Sequence, residues 1–543
     1  MRTVLIPLFV ILLLACNTPK TTVDTIITNA KVHTMQSEQS IEEAIAIKDG
    51  KIIAVGSNKE INEKYKANQT IDAQQKELYP GFTDCHGHIL SLAKQRINVN
   101  LIGTASYDEM ITRLKENQTL NNPEIIIGRG WDQSIWGEKE LPDNKRLNEA
   151  FPNIPVALTR IDGHAMLINN AMMKLMHIDK HSRINGGVYL KKDGELTGII
   201  IDNAVDELNK KLPKPNKNVL EKYFLQVQED LLALGLTHIH DAGLDEFSRD
   251  FLIDLANAKK LKINIYGMLF PSPDNIAFAK NNGIYRNGKL TIRSFKMLAD
   301  GSLGSRSACL LEPYADDKQN FGIIVTSQNE LKEKFEQAKS IGYQMNVHCI
   351  GDSANRVVLN LVNSLFNKDK NHRWRIEHAQ VISKPDFQLF KQSGLIPSVQ
   401  PTHATTDQRW AENRLGEERL TTEAYAYNSL LNERGIVLFG TDFPIEDFNP
   451  FATIYAAVKR KDTKNFPSDG FLSDESVPLY TALQAITKWA AYGSFDEANY
   501  GTIEANKNAD FVILNNPLNV SESYQSNAAW MTIINGEIVY QKK

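Results

Sequence analysis

Apolar and polar positions alternate in short bursts at both ends of the chain. Near the start these are Ile26-Ile27-Thr28-Asn29-Ala30-Lys31-Val32, Ala44-Ile45-Ala46-Ile47 and Lys51-Ile52-Ile53-Ala54-Val55, split by the turn-forming pairs Asp49-Gly50 and Gly56-Ser57. Near the end, Asp510-Phe511-Val512-Ile513-Leu514 and the run from Trp530 to Val539 repeat the style. A period of two turns alternate side chains toward one core, so these segments predict strands. Their placement predicts one β-sandwich domain built from both ends, residues 23–78 and 500–543.

The pattern changes between them. Eight apolar runs of strand length, most followed by a helical stretch, span Leu78 to Asp84, Leu236 to His240, Ile263 to Leu269, Ile292 to Leu298, Gln344 to Cys349, Trp374 to His378, Ile396 to Gln400 and Ile436 to Thr441. Strands alternating with helices pair in parallel, and eight of them predict a closed, TIM-like (β/α)8 barrel over residues 79–499, an α/β fold. The first interval is far longer than the others. It predicts an inserted subdomain over residues 95–230, between barrel strands one and two.

Residues 4–15 form an apolar run after Arg2, too short to cross a bilayer and of the length of a signal-peptide core. It stops at Leu13-Leu14-Ala15-Cys16, which resembles the bacterial lipobox, whose cysteine is lipidated and begins the mature protein. Residues 1–22 therefore read as a lipoprotein signal peptide and tether, and the protein as exported and held at a bacterial membrane, on its periplasmic or outer face, through Cys16. No later stretch approaches 18 uninterrupted apolar residues, so the rest reads as a globular body. With 61 basic against 65 acidic residues, a formal charge of −4, the chain has no field to gather nucleic acid. Its four cysteines have neither the spacing of a disulfide scaffold nor that of a four-cysteine zinc module.

Seven of the 12 histidines, His86, His88, His238, His240, His348, His378 and His403, fall on or just after these strands, where such a barrel carries its active site. His86 and His88, two apart on extended backbone, point to one side as a shared metal requires, and Gly87 between them leaves room for close approach to an ion. Imidazole with carboxylate suits zinc and similar divalent ions. His238-Ile239-His240 has the same spacing, but apolar neighbours within a strand suit an interior or helix-facing histidine. Cys85 and Cys349 alternate away from the metal side and read as small packing residues.

Pro80-Gly81-Phe82-Thr83-Asp84-Cys85-His86-Gly87-His88, Arg375-Ile376-Glu377-His378-Ala379-Gln380 and Gly440-Thr441-Asp442-Phe443-Pro444 resemble the amidohydrolase superfamily. More narrowly they resemble the amidohydrolase 3, YtcJ-like group, which includes N-substituted formamide deformylases. The motifs at Gly163-His164, Lys296 to Arg306, His348 to Asp352 and Gln400 to His403 match too, and the similarity runs from about residue 25 to the C-terminus. The resemblance implies that His86 and His88 bind one divalent ion and His348 and His378 a second, with Lys296 bridging them as a carboxylated lysine. Whether one ion or two is held turns on Lys296. Asp442 is the implied strand-eight aspartate: it binds metal, takes a proton from the attacking water and returns it to the leaving nitrogen.

Trp131, His164, Asp300 and His403 are the expected substrate-binding residues, the first two on an insertion able to close over the barrel mouth. The leading expectation is hydrolysis of a non-peptide carbon–nitrogen bond in a small amide or formamide-like molecule. A deaminase or an ester or lactone hydrolase on the same scaffold, and a non-catalytic anchored solute-binding protein, are the alternatives. The expected partners are the small substrate and the membrane, with a homodimer left open.

Overall fold

The computed structural model describes residues 19–136, 141–161, 165–184, 187–212, 214–367, 369–521 and 524–542. Cys16 and His164 lie outside them. Eight parallel strands form the central sheet: β1 (Phe82–Gly87), β2 (Leu236–Leu244), β3 (Asn264–Leu269), β4 (Leu290–Leu298), β5 (Gln344–Cys349), β6 (Arg375–His378), β7 (Ile396–Val399) and β8 (Leu438–Phe439), with Tyr285–Asn287 added as a ninth strand in an antiparallel hairpin leading into β4. Neighbours in sequence are neighbours in the sheet, the order of a TIM-like barrel. The seam between β1 and β8 closes through few groups. Asp442 N–H donates to His86 O at 2.6 Å, and Asp84 accepts from the Thr441 hydroxyl at 2.6 Å and the Thr441 N–H at 3.1 Å.

Two glycines let the seam close. A Cβ on Gly440 would lie 2.4 Å from His86 N, and one on Gly87 2.2 Å from the Phe443 ring. The space at Gly87, expected to admit an ion, is taken by Phe443.

The first barrel strand is shorter than the apolar run Leu78 to Asp84 predicts. Glu77–Pro80 pairs with Lys31–His33 and Phe511–Leu514 in a six-stranded sheet, and the chain enters the barrel only after Gly81. That sheet faces a four-stranded one containing Thr21–Thr28 and Tyr65–Asp72, and Ile27, Ile45, Leu78, Phe511 and Ile533 fill a core between them. Both ends of the chain thus build one sandwich. Thr21 and Thr22, expected in the tether, already pair with Tyr65 and Lys66.

Between β1 and β2 a separate six-stranded sheet runs from Val99–Asn100 to Glu195–Asp202, with an apolar layer on each face. The helix Lys217–Ala233 was expected in this insertion; its buried face, Leu220, Phe224, Val227 and Leu231, joins the main barrel core instead. No helix among the described residues is long and apolar enough to cross a membrane.

Candidate metal centre and active site

Each barrel strand delivers its chemistry at its carboxyl end. His86 and His378, from β1 and β6, meet Asp442, just past β8, with one ligand atom from each within 4.8 Å of the others. All three are buried. His378 and Asp442 have φ of 73° and 61°, unusual for residues with a side chain and held here by the closed barrel.

Hydrogen bonds aim the rings. His86 Nδ1 donates to Glu377 Oε2 at 2.5 Å, and His378 Nδ1 donates to Gln400 Oε1 at 2.7 Å. Those bonds fix the tautomer and leave each Nε2 as a lone pair. Burial, with Lys296 adding to it, lowers His86 to about 4, and burial holds His378 well below the ordinary histidine value, so both rings are neutral donors. A cluster of two such imidazoles and one carboxylate fits a divalent ion of the zinc type.

The other expected ligands stand around this cluster. His88 Nε2 is 2.9 Å from Asp442 Oδ1, and Lys296 Nζ is 3.3 Å from His86 Nε2. Burial lowers the Lys296 pKa, which favours the neutral amine. His348 stacks edge-on to His378 with ring centroids 4.5 Å apart, while its Nε2 is 3.3 Å from Gly301 O.

The cluster floors a cavity of about 430 Å3. Phe270, Leu298, Leu303 and Trp410 give it apolar walls, and Asp407 and Glu446 add carboxylates that no described Arg or Lys pairs with. His403 also lines it, its Nε2 3.8 Å from Asp442 Oδ2 and without a hydrogen bond to any described residue.

Two expected substrate contacts lie elsewhere. Asp300 is fully buried off the cavity, its carboxylate accepting the N–H groups of Cys309, Ile350 and Gly351 at 2.8–3.0 Å. It holds the loops after β4 and β5 together. Trp131 is fully buried in the insertion's own core and donates its indole N–H to Leu158 O at 2.7 Å. The described lining residues come from the barrel's strands and loops, not from the insertion.

The amidohydrolase family model matches residues 69–540, which take in the whole barrel with its insertion and the C-terminal part of the sandwich. The chain belongs to the amidohydrolase family. It is 30% identical over 510 residues to Protein LONG AFTER FAR-RED 3 of Arabidopsis thaliana, covering 90% of this chain and 87% of the relative. The putative amidohydrolase YtcJ of Bacillus subtilis is 29% identical over 532 residues, covering 94% and 98%. A solved structure of an uncharacterized metal-dependent hydrolase from Pyrococcus horikoshii superposes with a TM-score of 0.79 at 29% identity, covering 91% of this chain and 97% of its own.

In this amidohydrolase, sequence reasoning assigned no role to three groups that orient the ligands. Glu377 is fully buried between His86 and Arg375, whose Nε donates to Glu377 Oε1 at 2.7 Å. Although burial opposes its ionisation, Arg375 foremost holds Glu377 well below the ordinary carboxylate value. Gln400 and Asp84 are the others. A charged residue at an inward strand position was the available signal for Glu377, because a fully buried acid needs a partner.

Proposed function

We propose that the protein hydrolyses the carbon–nitrogen bond of a small, non-peptide amide, of the formamide type, with zinc in the cluster of His86, His378 and Asp442. The convergence of those three side chains under an apolar-walled cavity carries this reading. A divalent ion held there supplies a Lewis acid and brings the pKa of bound water from about 15.7 toward 7. Asp442 accepts a proton on its carboxylate from the attacking water and hands it to the leaving nitrogen. His403, with its free Nε2 beside Asp442, hydrogen-bonds the substrate carbonyl oxygen or another polar group. His88 and His348 would complete the ligand set, and Lys296, whose pKa burial lowers, would serve as a further ligand if its amine took up carbon dioxide as a carbamate, releasing a proton.

The carboxylates of Asp407 and Glu446, hydrogen-bonded by Tyr425, Gln380 and Thr406 but met by no described Lys or Arg, disfavour anions, so a neutral amide suits the cavity better than an N-acyl amino acid. Export and a lipid anchor on Cys16 belong to the same proposal, supported by the apolar run 4–15 and Leu13-Leu14-Ala15-Cys16.

The test is a screen of the purified protein against N-formyl amines, cyclic amides and N-acyl amino acids, with metal analysis of the same sample. Neutral amides should be cleaved, and Asp442→Asn should lower kcat by about 10²–10⁴. Substoichiometric metal, with no activation by added zinc or manganese, would overturn the proposal.

A further inference from the structure

The His238-Ile239-His240 pair stands at the other end of the barrel from the metal cluster. There, at the amino-terminal ends of β2 to β4, a second cavity of about 260 Å3 opens. His238, His240 and Tyr266 line it from the barrel, Arg286 and Lys289 from the hairpin leading into β4, and Asp496 from the C-terminal segment. His238 is spoken for: it stacks on Tyr500 at 3.7 Å, and its Nδ1 sits 2.9 Å from the Thr237 hydroxyl.

The Asp496 carboxylate and the amides of Asn264, Asn499, Asn508 and Asn535 share the wall with three donors that are weakly matched or unmatched, those of His240, Lys289 and Arg286. Arg375 can only donate, so its 3.0 Å contact makes Nδ1 of His240 the acceptor. The neutral ring then carries its proton on Nε2, and that fully buried atom has no hydrogen-bond partner among the described residues. A buried donor left unsatisfied is unfavourable, and an acceptor placed against it relieves that cost. The ammonium of half-buried Lys289 makes no hydrogen bond or ion pair with a described residue, and Asp510 and Glu537 attract it from beyond ion-pair range. Arg286 is held loosely, 3.7 Å from Asp496 and 3.4 Å from the Thr291 hydroxyl. Arg375 and Glu377, both fully buried, stand between this cavity and His86, so the two sites do not share a ligand position.

We propose that this cavity binds a small carboxylate, with Lys289 and Arg286 as its charge partners and the His240 Nε2–H as its buried donor. A carboxylate offers an acceptor to the His240 Nε2–H and a negative charge to Lys289 and Arg286, whereas water offers the acceptor alone. The site is independent of the reaction at the metal centre.

Acetate, titrated into the metal-loaded protein against chloride at equal ionic strength, tests it by calorimetry and by the thermal midpoint. Saturable binding with a raised midpoint is expected, at least tenfold weaker in Lys289→Met, weakened also in Arg286→Gln, and kept in Lys289→Arg. Metal content and turnover should not change in these variants. Acetate binding of equal strength in the wild type, Lys289→Met and Arg286→Gln would put the anion elsewhere, at the metal ions included, and overturn the proposal. Absence of any saturable effect would reduce the cavity to a hydrated void and overturn it as well.

Discussion

Replacing Glu377 by glutamine removes one negative charge and leaves the shape of the side chain unchanged. The carboxylate does two jobs that an amide cannot do together, accepting from Arg375 Nε at 2.7 Å and from His86 Nδ1 at 2.5 Å. Both ion-pair partners are fully buried, so no solvent screens the loss. Arg375 keeps its bonds to Cys85 O and Ser398 Oγ but not its counter-charge. Breaking a buried pair from one side costs about 3–5 kcal/mol, and the bond to His86 is part of that sum rather than an addition to it. The ring of His86 also loses its orienting partner, which lowers metal affinity by about 10–100-fold. Urea unfolding of the metal-free variant reads the first effect, and competition with a chelator reads the second. Adding Arg375→Met should recover much of the stability, since no unpaired charge remains, yet leave metal binding weak. A Glu377→Gln protein that unfolds at the wild-type urea concentration and holds metal with wild-type affinity would refute the reasoning.

Lys296→Ala should lose metal and activity and regain part of both with added short carboxylic acids, as read by metal analysis and rate; two tightly held ions in the unrescued variant would exclude a carbamate bridge. Trp131→Phe should cost about 1–3 kcal/mol, because Leu158 O is left without its donor, while KM stays at the wild-type value. A changed KM would show that the insertion core shapes the cavity after all. Cys16→Ser should move the protein from the membrane to the soluble fraction of a bacterial host and abolish labelling by a fatty-acid probe, and persistence at the membrane would contradict the anchor.

The barrel was legible because each strand run ends abruptly in residues of a different kind, and eight such runs admit few topologies. What failed at the edges failed for physical reasons. Leu78 to Asp84 is one apolar run divided between two sheets, and apolarity alone cannot say which sheet buries it; Pro80-Gly81 was the mark of the break. Lys217–Ala233 lies next to the insertion in sequence but buries its apolar stripe against the barrel. In the site, His86, His378 and Asp442 could be picked by residue type at strand ends. Asp300 stands at a strand end too, yet three backbone N–H groups consume its carboxylate, two of them from a loop 50 residues away. Glu377 meets His86 across 291 residues of chain, a pairing that no local pattern encodes.

The interior of this barrel departs from the usual filling of branched apolar side chains. His240, Ser294, Asn346, Arg375, Glu377 and Ser398 are all fully buried within it. Apolar replacements would be as stable or more so, because desolvating Arg375 and Glu377 consumes much of what their attraction returns. Their retention is explained by direction rather than by strength. An imidazole that must offer Nε2 to an ion needs a strong acceptor at Nδ1, a carboxylate buried for that purpose needs a cation, and the cation needs acceptors for its remaining N–H groups. Arg375 finds them in Cys85 O, Ser398 Oγ and His240 Nδ1. Each polar group in the column is thus required by the one above it, and the column ends at His240, whose Nε2 faces the same requirement with no hydrogen-bond partner among the described residues.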